Sequence, residues 1–154
     1  MEALPKELKL KTYPSRKCVA DAALAARQPF SMKQLLLYLK RIQAVTSKAT
    51  AYRTITLLIE NKLLREPLLF QGEWIYFPAT RENELVWVCT DCRKACAMPS
   101  SSVNYFLREH AGHHGMYPDE LSLHVQSSCL NRNKCMNHQN EDDELSSIWP
   151  VAGG

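Results

Sequence analysis

The sequence predicts an α+β chain of two units: three short helices followed by a small β hairpin, then a β, α, β unit bracketed by cysteines. Three observations lead there. Apolar residues recur at helical spacing in three successive segments between residues 15 and 60, two β-like runs flank Gln71-Gly72, and four cysteines stand in two pairs at the ends of the later unit. With 154 residues, 45% of them hydrophobic, the chain can bury a core.

Ser15 to Ala26 carries Val19, Ala22, Ala23 and Ala26 at helical spacing and stops at Gln28-Pro29. Ser31-Met-Lys-Gln34 has the form of a capping box, and Met32, Leu35, Leu36 and Leu39 then mark a buried stripe to about Ile42. After Gln43 to Thr46, Ser47 can cap a third helix through Glu60, buried by Ala51, Ile55, Leu58 and Ile59. Leu63 to Glu66 and Trp74 to Phe77 read as two strands with Gln71-Gly72 turning between them. Helices followed by such a hairpin describe a winged helix, expected over residues 1–80. Pro78 to Asn83 is polar and turn-forming, a boundary.

The second unit, residues 84–135, opens with the β-like run Leu85 to Cys89. It continues with a helix over Ser101 to His113, spaced through Val103, Phe106, Leu107 and His110, and a strand over Leu121 to Gln126. From Met136 the chain is polar and acidic through Glu141-Asp-Asp-Glu144, so residues 136–154 are expected to form an acidic flexible tail that includes Ile148 and Trp149.

The net charge of +3 conceals a division. Residues 1–65 hold 13 Lys and Arg against 4 Asp and Glu (+9), residues 66–135 hold 6 against 8 (−2), and the last 19 residues contribute −4. A basic first half suits a module that neutralises phosphates. No stretch approaches the roughly 18 apolar residues of a membrane helix, and MEALPKELKLKTYPSRK lacks the apolar core of a secretory signal, so a cytoplasmic protein with no membrane partner is expected.

In that reducing compartment six cysteines are thiols or metal ligands. Cys89-Thr-Asp-Cys92 is a C-x-x-C pair, and Cys129 and Cys135 form a second pair, with 36 residues intervening between the two pairs. Four thiolates favour tetrahedral zinc, and a closed site contributes folding energy because no position stays open for water. One structural zinc per chain is the expected cofactor. A C-x-x-C can also serve as a redox dithiol, but a redox dithiol sits at a helix start, and here Asp91, Arg93 and Lys94 follow a strand.

Thr50-Ala-Tyr52-Arg53-Thr-Ile-Thr-Leu-Leu, preceded by Ser47, resembles the recognition helix of the ferric uptake regulator (Fur) family, whose signature there is T-V-Y-R. Val-Cys89-Thr-Asp-Cys92-Arg-Lys is similar to the family's C-x-x-C-G strand end, and Leu123-His-Val-Gln-Ser-Ser-Cys129 to its last strand. The resemblance spans about residues 12 to 135. It implies an N-terminal winged-helix DNA-binding domain and a small C-terminal α/β dimerisation domain stitched by zinc on Cys89, Cys92, Cys129 and Cys135. It further implies a homodimeric repressor on a palindromic double-stranded operator, and no enzyme. Lys48, Thr50, Tyr52, Arg53 and Thr54 would meet the DNA.

The resemblance breaks at the regulatory metal ligands. Where family members carry a His-rich run before the C-x-x-C strand, this chain has Asn83, Glu84, Leu85 and Val86. Gln28-Pro29-Phe30, Asn104 and Leu121 stand where other ligands are usual, and no His precedes His110. Cys96, Glu109, His110, His113 and His114 are the residues from which a rearranged second site could be assembled. Two other classes remain in competition: a zinc-stabilised protein-interaction adaptor that keeps the fold without DNA, and a thiol oxidoreductase using Cys89 and Cys92.

Overall fold

The computed structural model describes residues 13–77, 84–119, 121, 123–130 and 141–150. They form two compact units, one built from the chain up to Thr80 together with Asn140–Gly154, the other from Arg81–Gln139.

In the first unit α1 (Pro14–Ala25) starts on a proline, whose fixed φ suits a first helical turn that needs no N–H partner there. A two-residue strand, β1 (Phe30–Ser31), runs directly into α2 (Met32–Arg41). Ser31 closes both arms of the capping box: its Oγ accepts the Gln34 N–H at 3.2 Å, and Gln34 Oε1 accepts the Ser31 N–H at 2.8 Å. The third helix, α3 (Lys48–Glu60), opens on Ser47, whose Oγ accepts the Thr50 N–H at 3.1 Å. Val19, Leu35, Leu39, Ile55 and Leu58 are fully buried in one cluster among these helices.

Strands β2 (Leu68–Phe70) and β3 (Glu73–Tyr76) pair antiparallel, and β1 adds to the far side of β3 in the order β1-β3-β2. Gln71 (φ 49°) and Gly72 (φ 81°) make the two-residue loop, both left-handed as a tight hairpin of matching twist requires. The strand expected over Leu63–Glu66 is displaced. The N–H groups of Leu63 and Leu64 both go to the Leu58 carbonyl, at 2.8 and 3.2 Å, so this segment closes α3 and the strand starts only after Pro67.

In the second unit β4 (Glu84–Cys89) pairs antiparallel with β5 (Ala95–Pro99) and parallel with β6 (Leu123–Ser127), in the order β5-β4-β6. Helix α4 (Ser101–His113), with the span its periodicity indicates, carries the crossover between β5 and β6. None of its residues is fully buried, and Tyr105 and Phe106 are 69% and 66% exposed. This unit's core is small: its buried hydrophobic residues, among those described, are Val86, Val88, Cys89 and Ala97.

The expected flexible tail requires correction. Its middle forms α5 (Glu141–Ile148), and Leu145, Ile148 and Trp149 join the core of the first unit. The spacing i, i+3, i+4 of these three gives an apolar edge that the acidic composition masks. Residues 136–140 and 151–154 lie outside the described residues.

Candidate metal centre and nucleic-acid interface

The parallel register of β4 and β6 sets Cys89 opposite Ser127, at the same end of both strands. Cys129 follows two residues later, so the chain brings its sulfur to the Cys89 side of the sheet without a long loop. Cys92 returns through the turn between β4 and β5. The sulfurs of Cys89, Cys92 and Cys129 lie within 4.8 Å of one another, the only such group of three among the described residues. Cys135 lies outside the described residues.

The arrangement is tightly stitched. Arg93 N–H reaches the Cys89 carbonyl at 2.8 Å, Thr90 N–H reaches the Ser127 carbonyl at 2.8 Å, and Asp91 Oδ2 accepts the Cys129 N–H at 2.8 Å. Cys89 and Cys129 sulfurs are 3.1 Å apart. That exceeds the roughly 2.05 Å of a disulfide. It is somewhat inside the edge of about 3.8 Å that Zn–S bonds of about 2.3 Å give a tetrahedron. Three soft donors converging on one point, held by backbone hydrogen bonds, fit a thiophilic metal such as zinc.

The local electrostatics agree with thiolate ligation. Burial pushes the Cys89 thiol up, but hydrogen bonds from the Cys92 N–H, the Cys129 thiol, the Asp91 N–H and the Cys92 thiol outweigh it and lower it from 9.0 to about 7.

Arg93, immediately after the C-x-x-C, has φ 60°. A left-handed backbone costs a residue with a Cβ roughly 1–2 kcal/mol, part of which glycine recovers. Arg93→Gly should therefore stabilise the second unit by about 0.5–1 kcal/mol in chemical denaturation. A loss of stability would mean that the arginine side chain contributes more than the strain costs.

On α3 the exposed positions are Lys48, Ala49, Tyr52, Arg53, Thr56 and Glu60. Ala49, Tyr52, Arg53 and Thr56, at i, i+3, i+4 and i+7, form one stripe opposite buried Ala51, Ile55 and Leu58. Tyr52 is 42% exposed and the Lys48 ammonium lies 5.9 Å from its ring centre, within cation–π range. Thr50 is half-buried and its hydroxyl accepts from Ser47 Oγ at 2.9 Å. Thr54 is withdrawn from the reading set: it is fully buried, and its hydroxyl donates to the Thr50 carbonyl at 2.8 Å. Thr56 is the residue that sequence reasoning missed, although its distance of four from Tyr52 signals the shared face.

Solved structures similar to this chain in fold include regulators. The Vibrio cholerae ferric uptake regulator has a TM-score of 0.65 at 18% identity, over 80% of this chain and 95% of that one. This is the Fur fold. The Helicobacter pylori ferric uptake regulator, whose structure has three functional metal-binding sites, gives 0.65 at 14% identity, over 84% of this chain and 95% of its own. The Campylobacter jejuni peroxide stress regulator gives 0.61 at 23% identity over 84% and 95%. The sequence itself matches no family model and no curated protein.

Within the Fur fold the residues considered for a second metal do not assemble. Cys96 is half-buried on β5, in register with Trp87. Glu109, His110, His113 and His114 are exposed on and just after α4. His110 stacks on Phe106 with ring centres 6.1 Å apart and meets His114 edge-on at 4.9 Å. No third ligand joins them among the described residues. No described helix is long and apolar enough to cross a membrane.

Proposed function

We propose that the chain is a sequence-specific DNA-binding transcriptional repressor that acts as a homodimer, with one structural zinc held by Cys89, Cys92, Cys129 and Cys135. The single observation that carries this is the exposed stripe Ala49, Tyr52, Arg53 and Thr56 on a side-chain-capped helix, within the half of the chain that carries +9. In this reading β2 and β3 are the wing of a winged helix, and α3 enters the major groove of a palindromic operator. Lys48 meets a phosphate while Tyr52 and Arg53 reach bases. The uncovered aromatic side chains Tyr105, Phe106 and Tyr117 of the second unit suit a self-complementary interface with a second copy. The function is binding, without enzymatic turnover, and persistent thiolates suit a reducing cytoplasm.

The test is selection of duplexes from a random-sequence pool, followed by titration of the selected operator and a scrambled duplex over a range of salt. Lys48→Ala should weaken both duplexes alike and lower the magnitude of the salt slope by about 1. Failure to enrich any sequence would sink the reading.

The regulatory metal site is degenerate in this proposal, because Asn83, Glu84, Leu85 and Val86 supply none of the imidazoles that the family resemblance implies. After a chelator mild enough to spare thiolate-bound zinc, added iron(II), manganese(II) or zinc(II) should leave operator affinity unchanged. A gain above about tenfold, about 1.4 kcal/mol of coupling, would contradict this and require Cys96, Glu109, His110, His113 and His114 to rearrange into a site that they do not form here.

One observation favours the adaptor reading. The β2–β3 hairpin carries no Lys or Arg from Leu68 to Tyr76, and it pairs Leu69 opposite Trp74, 53% and 47% exposed. The selection experiment separates the two, since an adaptor enriches no duplex.

A further inference from the structure

Beyond the Gln28-Pro29 stop, helix α1 has no capping residue of its own. Its C-cap, Ala26, is extended, no glycine follows, and no basic side chain lies in its last turn. What closes it arrives from the other end of the chain. Trp149 Nε1 donates to the Ala22 carbonyl at 2.8 Å, and the Arg27 N–H donates to the Ile148 carbonyl at 2.8 Å.

The same residues tie α1 to its neighbours. The Trp149 ring stacks on Tyr38 of α2, centres 4.5 Å apart at 8°, and tilts against Phe30 of β1 at 5.5 Å. Glu144 accepts from the side-chain amide of Gln34, the residue that also completes the capping box of α2. Leu145, Ile148 and Trp149 belong to one buried cluster with Ala51, Ile55 and Leu58, the residues that back the exposed stripe of α3.

We propose that α5 and Trp149 form a clasp on the first unit, and that its release weakens DNA binding by loosening α1 behind the reading helix. The second half rests on the DNA-binding reading above. Two features make the clasp a separable element. An eight-residue helix is not stable alone in water, so α5 folds and docks in one step. The rest of the first unit, residues 13–77, has its own helices, caps and sheet, so opening the clasp uncovers Ala22, Phe30 and Tyr38 while leaving those elements intact.

The Arg27 amide proton reports the clasp directly. In the full chain, Trp149→Phe keeps the ring stack and deletes the indole donor, and should lower Arg27 protection from hydrogen exchange by about tenfold. A chain ending at Gln139 should lose that protection and at least about tenfold of its affinity for the selected operator, and the peptide Asn140–Gly154 added in trans should restore both. An unprotected Arg27 amide in the full chain, or a shortened chain that binds the operator as tightly as the full one, overturns the proposal. If the full chain binds no duplex, the DNA reading fails by itself, because Arg27 protection and its rescue by peptide decide the clasp without DNA.

Discussion

Replacing Cys89 or Cys129 by serine is expected to abolish retention of zinc and to unfold the second unit. The reasoning is energetic. That unit's described core amounts to Val86, Val88, Cys89 and Ala97, and α4 contributes no fully buried side chain. So little apolar burial leaves scant margin against chain entropy, in a molecule whose whole stability is on the order of 5–15 kcal/mol. A structural zinc in small peptides contributes about 10–16 kcal/mol, which is enough to decide whether such a unit folds. Serine keeps the size of the side chain and removes the thiolate, so the effect isolates ligation from packing. Zinc released by a thiol reagent should fall from about one equivalent per chain to none, and near-ultraviolet dichroism from Trp87 should collapse. Cys135→Ser should behave the same way if it completes the tetrahedron. Cys96→Ser should keep its metal, since Cys96 sits on β5 outside the cluster. Full zinc content in both Cys89→Ser and Cys129→Ser would remove the assignment.

Local signals were legible in the sequence, and long-range ones were not. The Ser31–Gln34 capping box and the Ser47 cap involve residues three apart, so α2 and α3 follow from the sequence with their termini. Strands β1 and β5 have no such signal. Phe30-Ser31 is too short to show a period, and Ala95-Cys-Ala-Met-Pro99 is poor in branched residues and becomes a strand through its pairing with β4. The pairing of Cys89 with Cys129 depends on the parallel β4–β6 register, which spacing can suggest but cannot set. The C-terminal helix was hidden for the same reason: its partners Ala22, Phe30 and Tyr38 are more than a hundred residues upstream, and local composition shows only the acids. Thr54 is a different kind of miss. Position 54 is three from Ala51 and four from Leu58, so helical arithmetic puts it on the buried side, and its hydroxyl is satisfied by Thr50 before any base could reach it.

Arg53→Ala should weaken binding to the selected operator by about 1–3 kcal/mol per half-site while leaving affinity for scrambled duplex within the change that one lost phosphate contact per protomer would produce. Arg53 lies in the middle of the exposed stripe, one residue from Tyr52 and opposite the buried Ile55, so its side chain is free of the core and can fork onto the O6 and N7 of a guanine. The helix should be unharmed, because alanine is a better helix former than arginine and the Ser47 cap is untouched. In a two-fold dimer on a palindrome each half-site loses the same contact, so the measured loss should approach twice the single-site value, and restoring arginine on one protomer of a mixed dimer should recover half of it. Tyr52→Phe separates a hydroxyl contact from ring contact on the same stripe, and Thr54→Ala should lower stability without changing the preferred sequence. If Arg53→Ala binds operator as the wild type does at matched salt, α3 is not the reading helix, and the exposed Leu69–Trp74 face of the hairpin becomes the surface to test.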